Sequence, residues 1–310
     1  MTPATLAEDV PAPAPDLVTC RLPLRLVTLD ALHHGAGVSG NTTLVRRQTV
    51  LTADGTLADV PFVSGNSVRH HLRAALAEHA CRLLEVPEHG LPKRVVDLLW
   101  SGGALTSTGN QVDLESQRQM DLLAPMVSLL GYSAKSDIVA GPLRVDNVHV
   151  VCMQNAWRLP ADLAADPHAA VWEGQARGEE FGTRHDAAGS GAARWISLDD
   201  AAALVDKTTQ MIYDMQVVRP GVRMWSTLYL DNASRAHADA LAVAVDEAWP
   251  ETDDYRLARL GGKTAQGFGR CRLEVDLSPL GDPAAARRRH EDLLTGHRDA
   301  VLALLADTVG

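Results

Sequence analysis

Residues 222–230 read Val-Arg-Met-Trp-Ser-Thr-Leu-Tyr-Leu, a run rich in β-branched and aromatic residues that predicts a strand. The pattern then changes period. Leu241, Ala242, Val245 and Ala248 fall on one face of a helix predicted over residues 235–248. Past glycines at 261, 262, 267 and 269, Cys271, Leu273 and Val275 alternate with charged residues in a last strand predicted over 270–276. The first half of the chain repeats this order. Leu22, Leu24 and Leu26 alternate with Pro23, Arg25 and Val27 in a strand predicted over 21–29. Residues 42–51 read as a second strand or strand-like hairpin ending at Asp54-Gly55. Ser64-Gly65-Asn66-Ser67 then supplies a helix N-cap ahead of Val68, Leu72, Ala75, Leu76 and Leu83 at helical spacing. Residues 112–130 are expected to be helical despite Pro125, and residues 143–153 to form a strand. Two strand–helix–strand units with alternating rather than continuously apolar strands predict an α+β, ferredoxin-like core and not a doubly wound parallel sheet.

The chain has 310 residues, 46% of them hydrophobic and 22% charged, an ordinary globular composition with enough chain for a sizeable core. Residues 1–18, rich in Ala and Pro, read as a flexible N-terminal arm without the basic and apolar regions of a secretory signal. Residues 19–282 read as one domain, with a mobile insertion at about 160–200 where periodicity is weak. Residues 283–310 read as a C-terminal helix. Cys20, Cys81, Cys152 and Cys271 lie far apart, which argues against a zinc ribbon or a disulfide framework and for a reducing cytoplasm. No stretch approaches the roughly 18 consecutive apolar residues of a membrane span.

Three motifs invite catalytic or nucleotide readings. Gly35-Ala36-Gly37-Val38-Ser39-Gly40 fits the dinucleotide pattern, but Thr42-Thr43-Leu44-Val45 follows it where a helix N-terminus should receive the pyrophosphate. Gly262-Lys263-Thr264 resembles the end of a phosphate-binding loop, but Leu257 stands where the first glycine should be, and a strand follows instead of a helix. His33-His34 and His70-His71 are adjacent pairs whose side chains point to different sides, so neither pair chelates a metal readily. No cofactor and no metal are expected.

The 29 Lys and Arg against 39 Asp and Glu give a net charge of −10, with a pI near 5.6, at face value unlike a nucleic-acid binder. The local distribution points the other way. Six acids and no Lys or Arg lie in residues 236–254, whereas Arg256, Arg259, Lys263, Arg270 and Arg272 occupy residues 256–272 without one acid. Arg46, Arg47, Arg69 and Arg73 form a second basic set, two of them in the first turns of the helix after Ser64, where the dipole favours phosphate. The expected result is a narrow basic track between acidic outer faces.

These segments resemble the RAMP superfamily of CRISPR-associated proteins, in particular the backbone subunits that polymerise along a guide RNA. Residues 64–73 (SGNSVRHHLR) are similar to that family's turn into its first helix. Leu129-Leu130-Gly131 with Gly141-Pro142-Leu143-Arg144-Val145-Asp146 is similar to its central segment, and residues 261–270 (GGKTAQGFGR) to its C-terminal glycine-rich loop. The similarity spans residues 21–276. It implies a modified ferredoxin-like, RRM-like palm with inserted fingers and a thumb at about 205–221, where Met215 and Val217 either wedge between guide bases or pack internally. There are two departures. Ser64 and His70 replace a proline and a glycine of the turn, and Asn41 stands where type III members carry an RNA-cleaving aspartate, so no target cleavage is expected.

The resemblance implies a non-catalytic subunit of a CRISPR effector complex, type IV first and type I next. Its partners are guide RNA, copies of itself in a head-to-tail filament, other subunits of the complex, and target nucleic acid held by base pairing; no membrane is involved. The implied RNA-binding residues are His33, Asn41, Arg46, Asn66, Ser67, Arg69, His70, Arg73, Met215, Arg219, Lys263, Thr264, Gln266 and Arg270. The rival is an RNA-processing endonuclease of the same superfamily with His33, His34 or His70 as general base.

Overall fold

The computed structural model describes residues 17–105, 113–184 and 211–309. The predicted arm lies outside them except for its last two residues, as do residues 185–200 of the predicted insertion and 205–210 of the predicted thumb. In chain order the elements are β1 Val18–Thr28, β2 Gly35–Ser39, β3 Thr42–Val45, β4 Arg47–Leu51, β5 Leu57–Val63, α1 Gly65–Leu83, α2 Lys93–Ser101, α3 Leu114–Leu123 and α4 Pro125–Ser128. Next come β6 Tyr132–Ala134, β7 Asp137–Val139, β8 Leu143–Val145, β9 Val148–Val150, α5 Ala161–Ala164, β10 Arg177–Arg184, β11 Met211–Val218 and β12 Arg223–Ala233. The last are α6 Arg235–Ala248, β13 Arg256–Arg259, β14 Arg270–Glu274, α7 Pro283–Gly296 and α8 Arg298–Val309.

The main sheet runs β13-β14-β1-β12-β9-β5-β4, with β8 also paired to β12, and every pairing in it is antiparallel. Its centre, β14-β1-β12-β9, with α1 between β1 and β9 and α6 between β12 and β14, is the strand order of a ferredoxin-like βαββαβ unit. The alternation expected in β1 is realised: Leu22, Leu24 and Leu26 are buried under the helices. Each leucine removed from water this way contributes about 1.5–3 kcal/mol. Val68, Leu72, Leu76 and Ala77 of α1 and Leu241, Ala242 and Val245 of α6 form the opposing layer.

Three elements differ from expectation, one for a local reason and two because of neighbours distant in sequence. The helix expected over 112–130 stops at Leu123 and restarts as α4, because Pro125 lacks an N–H and pushes Ala124 out of the helical region (φ −130°, ψ 55°). The strand expected over 143–153 divides into β8 and β9 at Asp146-Asn147. There the Asn147 Oδ1 accepts the Gly65 N–H at 2.8 Å, and a Cβ on Gly65 would lie 2.4 Å from the Val145 carbonyl oxygen. The start of α1 is thereby wedged into the sheet. The single C-terminal helix expected over 283–310 is two helices, capped at His297, and Arg298 Nε donates to the Leu84 carbonyl at the end of α1.

The described part of the predicted insertion is joined to the main sheet by side-chain ion pairs. Asp162 of α5 takes a bidentate hydrogen bond from Arg25, and Asp166 is paired with Arg223, which ties the segment to the polar face of β1 and β12. It ends in β10, the edge of a small sheet ordered β10-β11-β3-β2, in which β11 runs parallel to β3. The Gly35–Gly40 pattern forms β2 and its turn into β3, where the dinucleotide pattern would need a helix.

Candidate nucleic-acid interface

Five segments meet at one end of β1. The loop at residues 29–34 is held on one side by the glycine-rich loop, through Gly262 N–H to the His33 carbonyl (2.7 Å) and Gly269 N–H to the Ala31 carbonyl (2.9 Å). On its other side, Leu32 and Val218 exchange both backbone hydrogen bonds at 2.8 Å, which fixes β11. His34 completes the junction. Its carbonyl accepts the Arg46 N–H at 2.7 Å, and its Nε2 accepts the Ser64 N–H at 3.2 Å, at the cap of α1. The approach between loops is close enough that Gly261, at φ +79°, has no room for a side chain: a Cβ would sit 2.4 Å from the His33 oxygen.

On this junction the predicted contacts separate into two groups. Arg46, Asn41 at the β2–β3 tip, Asn66 in the first turn of α1, Gln266 and Arg219 are exposed, while Ser67, Lys263 and Thr264 are half-buried beside them. The Arg46 guanidinium has no hydrogen-bond or ion-pair partner among the described residues. Arg219 Nε donates to the Arg177 carbonyl. Lys263, in the left-handed region at φ 58°, places its Nζ 4.9 Å from the centre of the Tyr213 ring. Arg270 is exposed and paired with Asp30. His70 is exposed on α1, next to the half-buried His71.

The other group is internal, against expectation. Arg73 is only 9% exposed and donates Nη2 to the Gly131 carbonyl at 2.8 Å and to the Leu130 carbonyl at 3.2 Å; Arg69 donates to the Leu143 carbonyl at 2.7 Å and to that of Leu130. No carboxylate compensates them among the described residues. Burial lowers both pKa values, that of Arg73 to about 10, so both stay charged at neutral pH. They clamp the segment after α4 to α1 because their positions on α1 face that segment, and their guanidiniums are engaged by main-chain carbonyls. Met215 is 2% exposed and Val217 1%; both pack on Ala31, with Tyr213 and Phe268 alongside, so neither is a free wedge between bases. His33 is also buried. Its Nδ1 lies 2.8 Å from the Gln216 carbonyl, which only accepts, so this nitrogen carries the proton.

Of the histidines proposed as general bases, His33 is buried and His34 is engaged, whereas His70 is exposed. His34 is held down to about pKa 4, by burial first and then by the positive charges of Arg46 and His33, and its Nε2 lone pair is already engaged by Ser64. Among the described residues no group of three or more His, Cys, Asp or Glu side chains is arranged to hold a metal.

The predicted acidic faces turn out to be largely neutralised within the molecule. Asp239 is buried against Arg289, with two hydrogen bonds at 2.8 and 2.6 Å, and near Arg235. Asp246 pairs with Arg256 and Arg287, and Glu247 with Arg82 and Arg287. Arg256 thus leaves the basic track, because it faces α6. In the sequence Arg259 stands out only as one base of the acid-free run, and Asp30, Tyr213 and Gln216 carry no binding signal. Arg259 is exposed with no side-chain partner among the described residues, beside the Asp30–Arg270 pair. Its signal was its place in a run of bases without an acid; Asp30, distant in sequence, gave none.

Fold and site together define an α+β, ferredoxin-like protein with a basic junction where its loops converge. The same fold occurs in a chain of the structure described as "Type IV-B CRISPR Complex", at a TM-score of 0.53 and 18% identity, covering 83% of this chain and 90% of that one. A chain of the "Cryo-EM structure of the Type III-B Cmr-beta bound to cognate target RNA" aligns over 84% of this chain and 60% of that one, at a TM-score of 0.39 and 9% identity, a level that does not establish a common fold. The sequence matches no protein-family model and no curated protein. No helix among the described residues is long and apolar enough to cross a membrane.

Proposed function

We propose that the protein is a non-catalytic, guide-RNA-binding backbone subunit of a CRISPR ribonucleoprotein effector complex, of type IV, whose copies assemble head to tail along the RNA and leave its bases free to pair with a target. The observation that carries this reading is the convergence of Arg46, Arg259, Lys263 and Arg270 with the N-terminus of α1 on one junction of a chain whose net charge is −10. Cations gathered against an acidic background bind phosphates without reading bases. The fold shared over most of its length with a chain of a type IV-B CRISPR complex supports the same assignment. Heterologous contacts between copies make an open filament whose length the RNA sets. The burial of His33 and the engaged Nε2 of His34 leave the exposed His70 as the one candidate base of a histidine-dependent nuclease among the three.

Purification from cells, without added nuclease, tests the assignment. The expected result is co-purifying RNA that raises the 260/280 nm absorbance ratio well above that of a protein and is lost when Lys263 and Arg270 are both changed to Glu. A protein-like ratio in the unmodified protein would overturn it.

A further inference from the structure

Between β13, the glycine-rich loop and the start of β14 lies an open groove of about 580 Å³ lined by Arg259, Thr264, Ala265, Gly267 and Arg270. Two guanidiniums face it from neighbouring strands, paired in register at Arg259 and Arg270. The Arg259 guanidinium and the Thr264 hydroxyl have no partners among the described residues. Arg270, by contrast, is taken: its Nε and Nη2 donate to the two oxygens of Asp30, the latter at 3.1 Å.

Asp30 does not depend on this ion pair for its position. The N–H groups of Leu29 and Asp30 both donate to the Arg270 main-chain carbonyl, at 2.8 and 3.3 Å, so the backbone at residue 30 stays beside Arg270, a residue that lines the groove, whether or not the side chains pair. The hydrogen bond from Arg270 holds the Asp30 carboxyl below the usual carboxylate range, with the charges of Arg270 and Arg259 adding to it, so Asp30 is ionised wherever the protein is folded near neutrality.

We infer that this groove binds one phosphodiester of a single-stranded RNA through Arg259, Thr264 and Arg270, and that Asp30 is a built-in counter-ion the phosphate must displace from Arg270. The inference rests on the RNA-binding function proposed above. Its chemical basis is that an exposed Arg–carboxylate pair is weak in water, whereas a phosphate can be shared by two guanidiniums and a hydroxyl. Asp30 therefore lowers affinity and makes release easier, without contributing a contact of its own to the RNA.

The test is fluorescence anisotropy with labelled oligouridine, titrated over a range of salt concentrations, on the full-length protein and two variants. Arg259→Ala, which breaks no side-chain hydrogen bond or ion pair among the described residues, is expected to weaken binding and to flatten the log–log salt dependence by about 0.7, the value for one phosphate of a single strand. Asp30→Asn is expected to tighten binding by about fivefold at low salt, as removal of one like charge a few ångströms from a phosphate predicts. Circular dichroism confirms that each variant is folded. If RNA binds but Arg259→Ala leaves the salt slope unchanged, or Asp30→Asn binds no tighter than the unmodified protein, the groove is not a phosphate site gated by Asp30, and RNA binding elsewhere on the junction stands. An unmodified protein that binds no oligouridine overturns both.

Discussion

Replacing Arg73 by methionine is expected to reduce stability by about 2 kcal/mol while leaving the salt dependence of RNA binding unchanged. Methionine keeps the aliphatic packing of the buried stem and removes only the guanidinium. That guanidinium is the donor to the Gly131 carbonyl at 2.8 Å and the second donor to the Leu130 carbonyl, which keeps its bond from Arg69. One carbonyl is thus stripped and one weakened. A net hydrogen bond to a charged group is worth about 1.5–3 kcal/mol, and the lower end applies because the substitution also relieves the burial of a cation that pulls its pKa down to about 10. Changing Arg69 and Arg73 together strips the carbonyls of Leu130, Gly131 and Leu143 and is expected to cost about 4–5 kcal/mol, at least twice the single change. Urea denaturation followed by circular dichroism, analysed at constant m-value, measures the loss. If Arg73→Met were as stable as the unmodified protein but bound RNA with a shallower salt slope, Arg73 would be a phosphate ligand and the internal clamp would be refuted.

Three further outcomes follow from the geometry. Asp239→Asn should lower stability by about 2–3 kcal/mol in the same urea assay, because it leaves Arg289 and Arg235 facing a buried neutral group between α6 and α7; an unchanged midpoint would contradict this. His290, stacked on His79 at 6.0 Å and 2% exposed, has its pKa lowered by burial to about 4, below the 6.5 of the unfolded chain. The unfolded state therefore takes up the proton first, and this site's contribution is complete above pH 6.5 and declines by about 3 kcal/mol as pH falls toward 4. His290→Leu should flatten the stability–pH profile over that window relative to the unmodified protein, and parallel profiles would refute the linkage. Gly261→Ala should cost about 2 kcal/mol in thermal or urea melts, since it combines a positive φ with a Cβ 2.4 Å from the His33 oxygen; a variant of unchanged stability would show that the two loops are not pressed together.

The alternation of Leu22, Leu24 and Leu26 and the helical spacing after Ser64 made the ferredoxin-like core legible, because burial acts on side chains at fixed local periods. What local period cannot carry is where a strand must bend for a neighbour. The division at Asp146-Asn147 is imposed by Gly65, distant in sequence, and the division at residue 297 by docking of Arg298 on Leu84. The same limit governed the candidate site. Arg46, Lys263 and Arg270 were legible as cations in acid-free or glycine-rich runs, and they do lie on the junction. Arg69 and Arg73 looked identical in sequence, yet α1 turns them toward backbone carbonyls. Met215 and Val217 lie in a strand whose alternation fits packing and base insertion equally well, and only the position of Ala31 and Phe268 decides between them. Asp30 meets Arg270 across 240 positions of chain, a pairing no short motif records.

The measurement that bears most directly on guide-RNA binding by successive copies is the length of RNA protected when the purified ribonucleoprotein is digested with ribonuclease and the fragments are resolved on a denaturing gel. Copies lined head to tail predict a ladder of fragments separated by one constant increment, unchanged by His33→Ala, His34→Ala or His70→Ala. Unprotected RNA, or a single cut at a fixed site that disappears with one of those histidine substitutions, would contradict it.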